Sequence, residues 1–173
     1  MSDIAVNNIL FLIKGLPEGL LTVLALYIFT GTKIEVQKYL LLSLIFIVTT
    51  YLIRLLPIAL GFNTVLSLFI LIIVFQSAHK IQLPKMIRTI VSAVGTFILI
   101  AVAEVFNMLL LIAKFGRAEA DRLFNAKEGL VQSLYTLPST IFFAIFVLLG
   151  YFVFKRIEKR KKKDGETGAK TGE

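Results

Sequence analysis

Residues Val91 to Ala113 read VSAVGTFILIAVAEVFNMLLLIA, an unbroken apolar run in which Glu104 is the single ionisable side chain. About 20 such residues in a helix rise through the hydrocarbon thickness of a bilayer. The run shows neither the alternation of a half-buried strand nor the charged face of a soluble helix. It therefore reads as a transmembrane helix, and the search for companions starts from it.

They lie on both sides. A first span is expected from about Ile9 to Thr30, with LLTVLALYIF at its centre and Thr30-Gly31-Thr32 at its exit. Gly15-Leu16-Pro17 is expected to interrupt that helix early, because proline removes a backbone donor. A second begins near Tyr39, reads YLLLSLIFIVTTYLI and reaches Arg54. Leu60-Gly61-Phe62-Asn63 is expected as the turn into a third span, Thr64 to Gln76, since Gly and Asn punctuate turns. The fourth span starts at Lys85 to Thr89 and ends near Ala113. The fifth runs from Leu134 to Phe154 and carries TLPST near its start, where Pro138 suits the first turn of a helix. Between the last two, Lys114 to Gly129 alternates in charge and predicts a short surface helix at the membrane interface.

Composition agrees with this all-α, polytopic transmembrane bundle of about five spans. The 173 residues are 57% hydrophobic and 17% charged, below the roughly 25% charged of soluble domains. Mean hydropathy is +0.86. Residues 1–156 form the expected transmembrane domain, and 157–173 a basic then polar cytoplasmic tail, expected to be disordered. The absence of cysteine excludes disulfides, thiol catalysis and zinc–thiolate sites. The first residues lack a basic stretch before the apolar one, so the first span is expected to be retained rather than cleaved.

Orientation follows from lysine and arginine. The stretch KRIEKRKKK after the fifth span is the densest basic segment, which places the C-terminus in the cytoplasm. Five spans then put Lys33, Lys38, Lys80, Lys85 and Arg88 inside, and the N-terminus and the Lys114–Gly129 connection outside. The expected setting is a bacterial plasma membrane. Anionic lipid is the expected partner of the basic tail. Nucleic acid is not expected, since the net charge of +8 comes with no recognition motif.

Ionisable residues within spans are costly and mark function or helix coupling. On this topology Glu18, Arg54 and Glu104 all fall in the outer half. Arg54 can pair with either acid, and Asn107 lies one turn beyond Glu104 on roughly the same face. These four, with Asn63, are the candidate ligand-binding or helix-coupling residues. His79 is the only histidine and is expected at the inner interface, not in a metal site. Ala93, Gly95, Ala101 and Ala103 offer small surfaces for helix contact. No catalytic motif, metal set or cofactor fingerprint is present, and no cofactor is expected.

The stretch YLIRLLPIALGFNTVLSLFILIIVFQ, Tyr51 to Gln76, resembles the membrane-sensing half of Gram-positive sensor histidine kinases of the sporulation and peptide-quorum type. LPEG at Leu16–Gly19, Thr30-Gly31 and Glu104 sit in a similar layout, so the likeness covers most of residues 10 to 155. It departs after Arg160, where the kinase core of that family is expected and is not found. The resemblance implies a sensory module without autophosphorylation, with Arg54, Asn63 and Glu104 shaping its sensory region and a membrane or cytoplasmic partner carrying the signal. A non-enzymatic sensory or regulatory protein is the leading reading. A small transporter or transporter subunit comes second and an assembly or structural protein third. An intramembrane enzyme comes last, and self-association stays open.

Overall fold

The computed structural model describes residues 11–55, 60–79, 83–124 and 129–170, with a few side chains at helix ends, Arg54 and those beyond Arg156 among them, outside that description. Among the described residues every regular element is helical. A wide π-type turn, Phe11–Gly15, leads directly into α1, Leu16–Thr30. It is followed by α2, Val36–Leu55; α3, Leu60–His79; α4, Leu83–Phe115; α5, Arg117–Phe124; and α6, Gly129–Lys170. Four stretches are long and apolar enough to cross a bilayer: Ile13–Thr30, Val36–Ile53, Lys85–Phe115 and Leu134–Arg156. A shorter apolar helix, Val65–His79, belongs to α3. The chain is a multi-pass helical membrane protein.

Helix α1 is the hub. It packs against α2, α4 and α6, and its Tyr27 also reaches α3. Its span is 39% buried inside the protein, against 22–28% for the other three. Two apolar cores share it. The first joins Val23, Leu26 and Tyr27 of α1 to Leu42 and Phe46 of α2, Leu71, Ile72 and Phe75 of α3, and Ala93 of α4. The second joins Ala25 of α1 to Ala103 of α4 and to Phe143 and Val147 of α6. Close approach depends on glycine at two crossings. A Cβ on Gly19 would strike the Ile47 side chain, and one on Gly150 would lie 2.7 Å from the Phe29 ring. The outward faces of α2, α4 and α6 carry exposed Leu, Ile, Val and Phe, as lipid contact requires.

Several buried hydroxyls are satisfied within their own helix. Thr22 Oγ1 donates to the Glu18 carbonyl at 2.7 Å, Thr30 to Leu26 at 2.7 Å and Thr96 to Ser92 at 2.8 Å. Such bonds back to the preceding turn let Ser and Thr sit in a helix without exposing a donor to hydrocarbon.

The sequence reading needs two corrections. Leu60 to Asn63 is the first turn of α3, not the connection before it, and the preceding residues 56–59 lie outside the described ones. At Gly15-Leu16-Pro17 the first span does change, from the π-type turn to α1, and Pro17 occupies the first turn of α1, where no internal donor is required. Pro138 does not start α6; it lies inside the helix, well after Gly129. The expected surface helix between the last two spans is present as α5. Its start is set by Gly116, at φ +80°, a left-handed conformation for which no sequence signal was read.

Candidate functional site

The two ends of the bundle differ in kind. At one end α1 finishes at Gly31, whose φ of +64° gives the left-handed cap that ends many helices. Gly31 N–H donates to the Ile28 carbonyl and Thr32 N–H to that of Tyr27, each at 3.1 Å. The Arg88 guanidinium of α4 comes up beside this cap and lies 5.3 Å from the centre of the Phe154 ring of α6. A cation near the last carbonyls of α1 is electrostatically favourable. Glu35, in the following connection, pairs with Lys38 at 2.9 Å, and that bond holds its carboxyl below the ordinary carboxylate range.

Inward of this cap sits an aromatic cluster. The Tyr27 hydroxyl is 3.1 Å from His79 Nε2, and His79 Nδ1 is 3.1 Å from the Phe75 carbonyl. Tyr27 meets His79 and Phe75 edge-on at 5.1 Å each, and Tyr39 at 6.1 Å. Tyr39 donates in turn to the Leu20 carbonyl at 3.1 Å. The ends of α1, α2 and α3 are thus joined through two tyrosines and one imidazole. Sequence reasoning placed His79 at an interface but missed Tyr27 and Tyr39, since an apolar run containing tyrosine gives no sign of which hydroxyl finds a partner.

The five sequence-derived candidates lie towards the other end. Counted along each helix from the residues that meet at Tyr27 and Gly31, Glu18, Arg54, Asn63, Glu104 and Asn107 stand about 20–28 Å away at 1.5 Å per residue. Glu18 is half-buried and opens the first turn of α1. Glu104 is half-buried on α4. The Arg54 side chain lies outside the described residues, and so does its choice between the two acids. Asn63 is half-buried, and its Oδ1 is enclosed without a partner.

Asn107 is the fully buried member. Its Nδ2 donates to the Tyr135 carbonyl on α6 at 2.9 Å. Pro138 accounts for that geometry, because a proline inside a helix withdraws one donor and its ring pushes the preceding carbonyls off axis. Ser139 Oγ serves the adjacent carbonyl, donating to Thr136 at 2.7 Å. Two carbonyls ahead of the proline are thereby met by side chains, one from α4 and one from α6 itself. The Nδ2 bond fixes the amide orientation, which leaves Asn107 Oδ1 buried and unpartnered, as is the Thr140 hydroxyl on α6. Asn107 was legible as a polar residue in a span, whereas its role at Pro138 was not, since proline was read as a helix start.

Among the described residues no three His, Cys, Asp or Glu side chains converge as metal ligands. No protein-family model, curated protein or solved structure matches this chain.

Proposed function

We propose that this chain is a non-enzymatic sensory or regulatory protein of a bacterial plasma membrane, working through a partner. The observation that carries the reading is α6. A single helix begins at Gly129, carries Pro138 near the half-satisfied Asn107 amide, and continues to the basic residues after Phe154. A ligand or a change of helix contacts at the Asn107 end displaces a rod whose other end bears KRIEKRKKK. The density of lysine and arginine there supports a cytoplasmic C-terminus and an outer location for Asn107, Glu104 and Glu18. The same residues suit anionic inner-leaflet lipid. Transmission of this kind requires two helix arrangements close in free energy, and an interior proline with a buried, half-satisfied amide is a place where two can coexist. The likeness to sensor-kinase membrane domains supports the same class.

The test is a photo-crosslinker at Lys155 in native membranes, comparing wild type with Asn107→Leu. A discrete adduct with a signalling protein, changed in yield by the remote substitution, supports the proposal. Substrate-dependent flux by the purified protein alone in liposomes, with no adduct in cells, overturns it in favour of a transporter.

A further inference from the structure

The junction of Tyr27 and His79 has a property that its polarity alone does not require. A backbone carbonyl only accepts, so the nitrogen 3.1 Å from the Phe75 carbonyl, His79 Nδ1, must carry a proton. In the neutral imidazole Nε2 then bears the lone pair, and at 3.1 Å it accepts from the Tyr27 hydroxyl. Tyr27 is fully buried, and among the described residues His79 is the hydrogen-bond partner of its hydroxyl. The bond therefore has a direction, from α1 to α3.

Adding a proton to His79 reverses it. Nε2–H becomes a donor, the phenol oxygen becomes its acceptor, and the phenol proton is left without an acceptor in a buried place. A buried donor left without an acceptor is unfavourable. Imidazole is the side chain whose unperturbed charge change lies between about pH 5 and 8.

The charges around the junction are few. From the connection before α2 come Lys33 and Glu35, and from α2 itself Lys38, which already holds Glu35 at 2.9 Å. Tyr39 of α2 is committed to the Leu20 carbonyl. Lys85 begins α4, and Arg88 is turned to Gly31 and Phe154. Among the described residues Glu35 is the carboxylate near enough to act on both Tyr27 and His79, and Lys38 holds it at 2.9 Å.

We propose that Tyr27 and His79 form a proton sensor that ties the end of α3 to α1 when His79 is neutral and releases it when His79 is charged. This deepens the regulatory reading by naming a stimulus, and it rests on that reading only for its downstream consequence.

His79 is the only histidine and the chain has no cysteine, so two clean measurements are open on the full-length protein in lipid nanodiscs. Nitrogen NMR on 15N-histidine-labelled protein reports the tautomer, and spin labels at Lys33→Cys and Ala78→Cys report the separation of the α1 and α3 ends. The expected result is the Nδ1–H tautomer with a narrow distance distribution at pH 8, and a broader, longer distribution at pH 5. Tyr27→Phe, which keeps the ring and removes only the hydroxyl, is expected to give the broad distribution at both pH values. An Nε2–H tautomer at pH 8 overturns the proposal. So does a distance distribution unchanged between pH 8 and pH 5 in the wild type. Neither readout involves a partner protein, so the sensor can fail while the crosslinking result stands, and the reverse.

Discussion

Asn107 Nδ2 and the Tyr135 carbonyl meet at 2.9 Å, three residues before Pro138, and join α4 to α6 one residue past Leu134, whose carbonyl loses its backbone donor to the proline. The two features compensate each other, so their energies are coupled. Asn107→Leu should destabilise the folded protein by about 1–2 kcal/mol, the range for interhelical hydrogen bonds in membranes. In a Pro138→Ala background the Leu134 carbonyl regains its donor and the ring no longer crowds the turn that carries Tyr135, so the same substitution should cost less. A double-mutant cycle by reversible unfolding in mixed micelles measures the difference, and strict additivity would show that amide and proline act independently.

Glycine substitutions separate helix contact from helix propensity. Gly150→Val drives carbon into the Phe29 ring and Gly19→Val into Ile47, and each should cost about 1–3 kcal/mol through overpacking. Gly95 has nothing within 4 Å of an added Cβ, so Gly95→Ala should be neutral or stabilising by up to about 1 kcal/mol. Thermal unfolding in one detergent ranks all three.

Gly31→Ala tests the α1 cap. Its φ of +64° is a conformation that a Cβ makes unfavourable by roughly 1–2 kcal/mol, and the Cβ would also meet the Arg88 guanidinium at 2.9 Å. Loss of stability together with altered fluorescence of a label at Val153→Cys is expected, because Arg88 must leave the Phe154 face to make room.

Glu35 supplies a pH prediction. Lys38 stabilises its charged form, so the folded carboxyl titrates below its unfolded value. The stabilisation is present above the unfolded value and is lost as pH falls through the lower, folded one, on the acid side of the ordinary carboxylate range. Lys38→Met should raise the midpoint of the Glu35 carboxyl carbon signal in an NMR titration.

The orientation proposed from basic residues is open to direct labelling, since the natural chain has no cysteine. Ala118→Cys on α5 should react with a membrane-impermeant maleimide in intact cells. Lys33→Cys should react only after permeabilisation. The opposite pattern would invert the topology and move Asn107 to the cytoplasmic side.

The helices were legible because hydrocarbon leaves the backbone few choices. Val91–Ala113 has no plausible reading but a span, and Thr30-Gly31 announced the end of α1. What escaped was set by partners distant in sequence. Pro138 looks the same whether it opens a helix or lies inside one, and only Asn107, on another helix, decides between them. Likewise nothing within LTVLALYIF distinguishes Tyr27 from its neighbours until His79 stands opposite. Leu60–Asn63 was misread because Gly and Asn mark turns in water, whereas near a membrane the same residues can begin a helix.

The central place of α1 also bears on how the chain is made. Phe29 leaves the ribosome long before Gly150, the residue it packs against, with about 120 residues between them; at roughly 5–20 residues per second that is several seconds or more. Throughout that interval the helix destined for the middle of the bundle has lipid or the insertion machinery for company, with Thr22, Thr30 and Glu18 lacking their final neighbours. Biogenesis therefore runs from the centre outwards, and a lesion in α6 leaves the earliest helix as the one without a home.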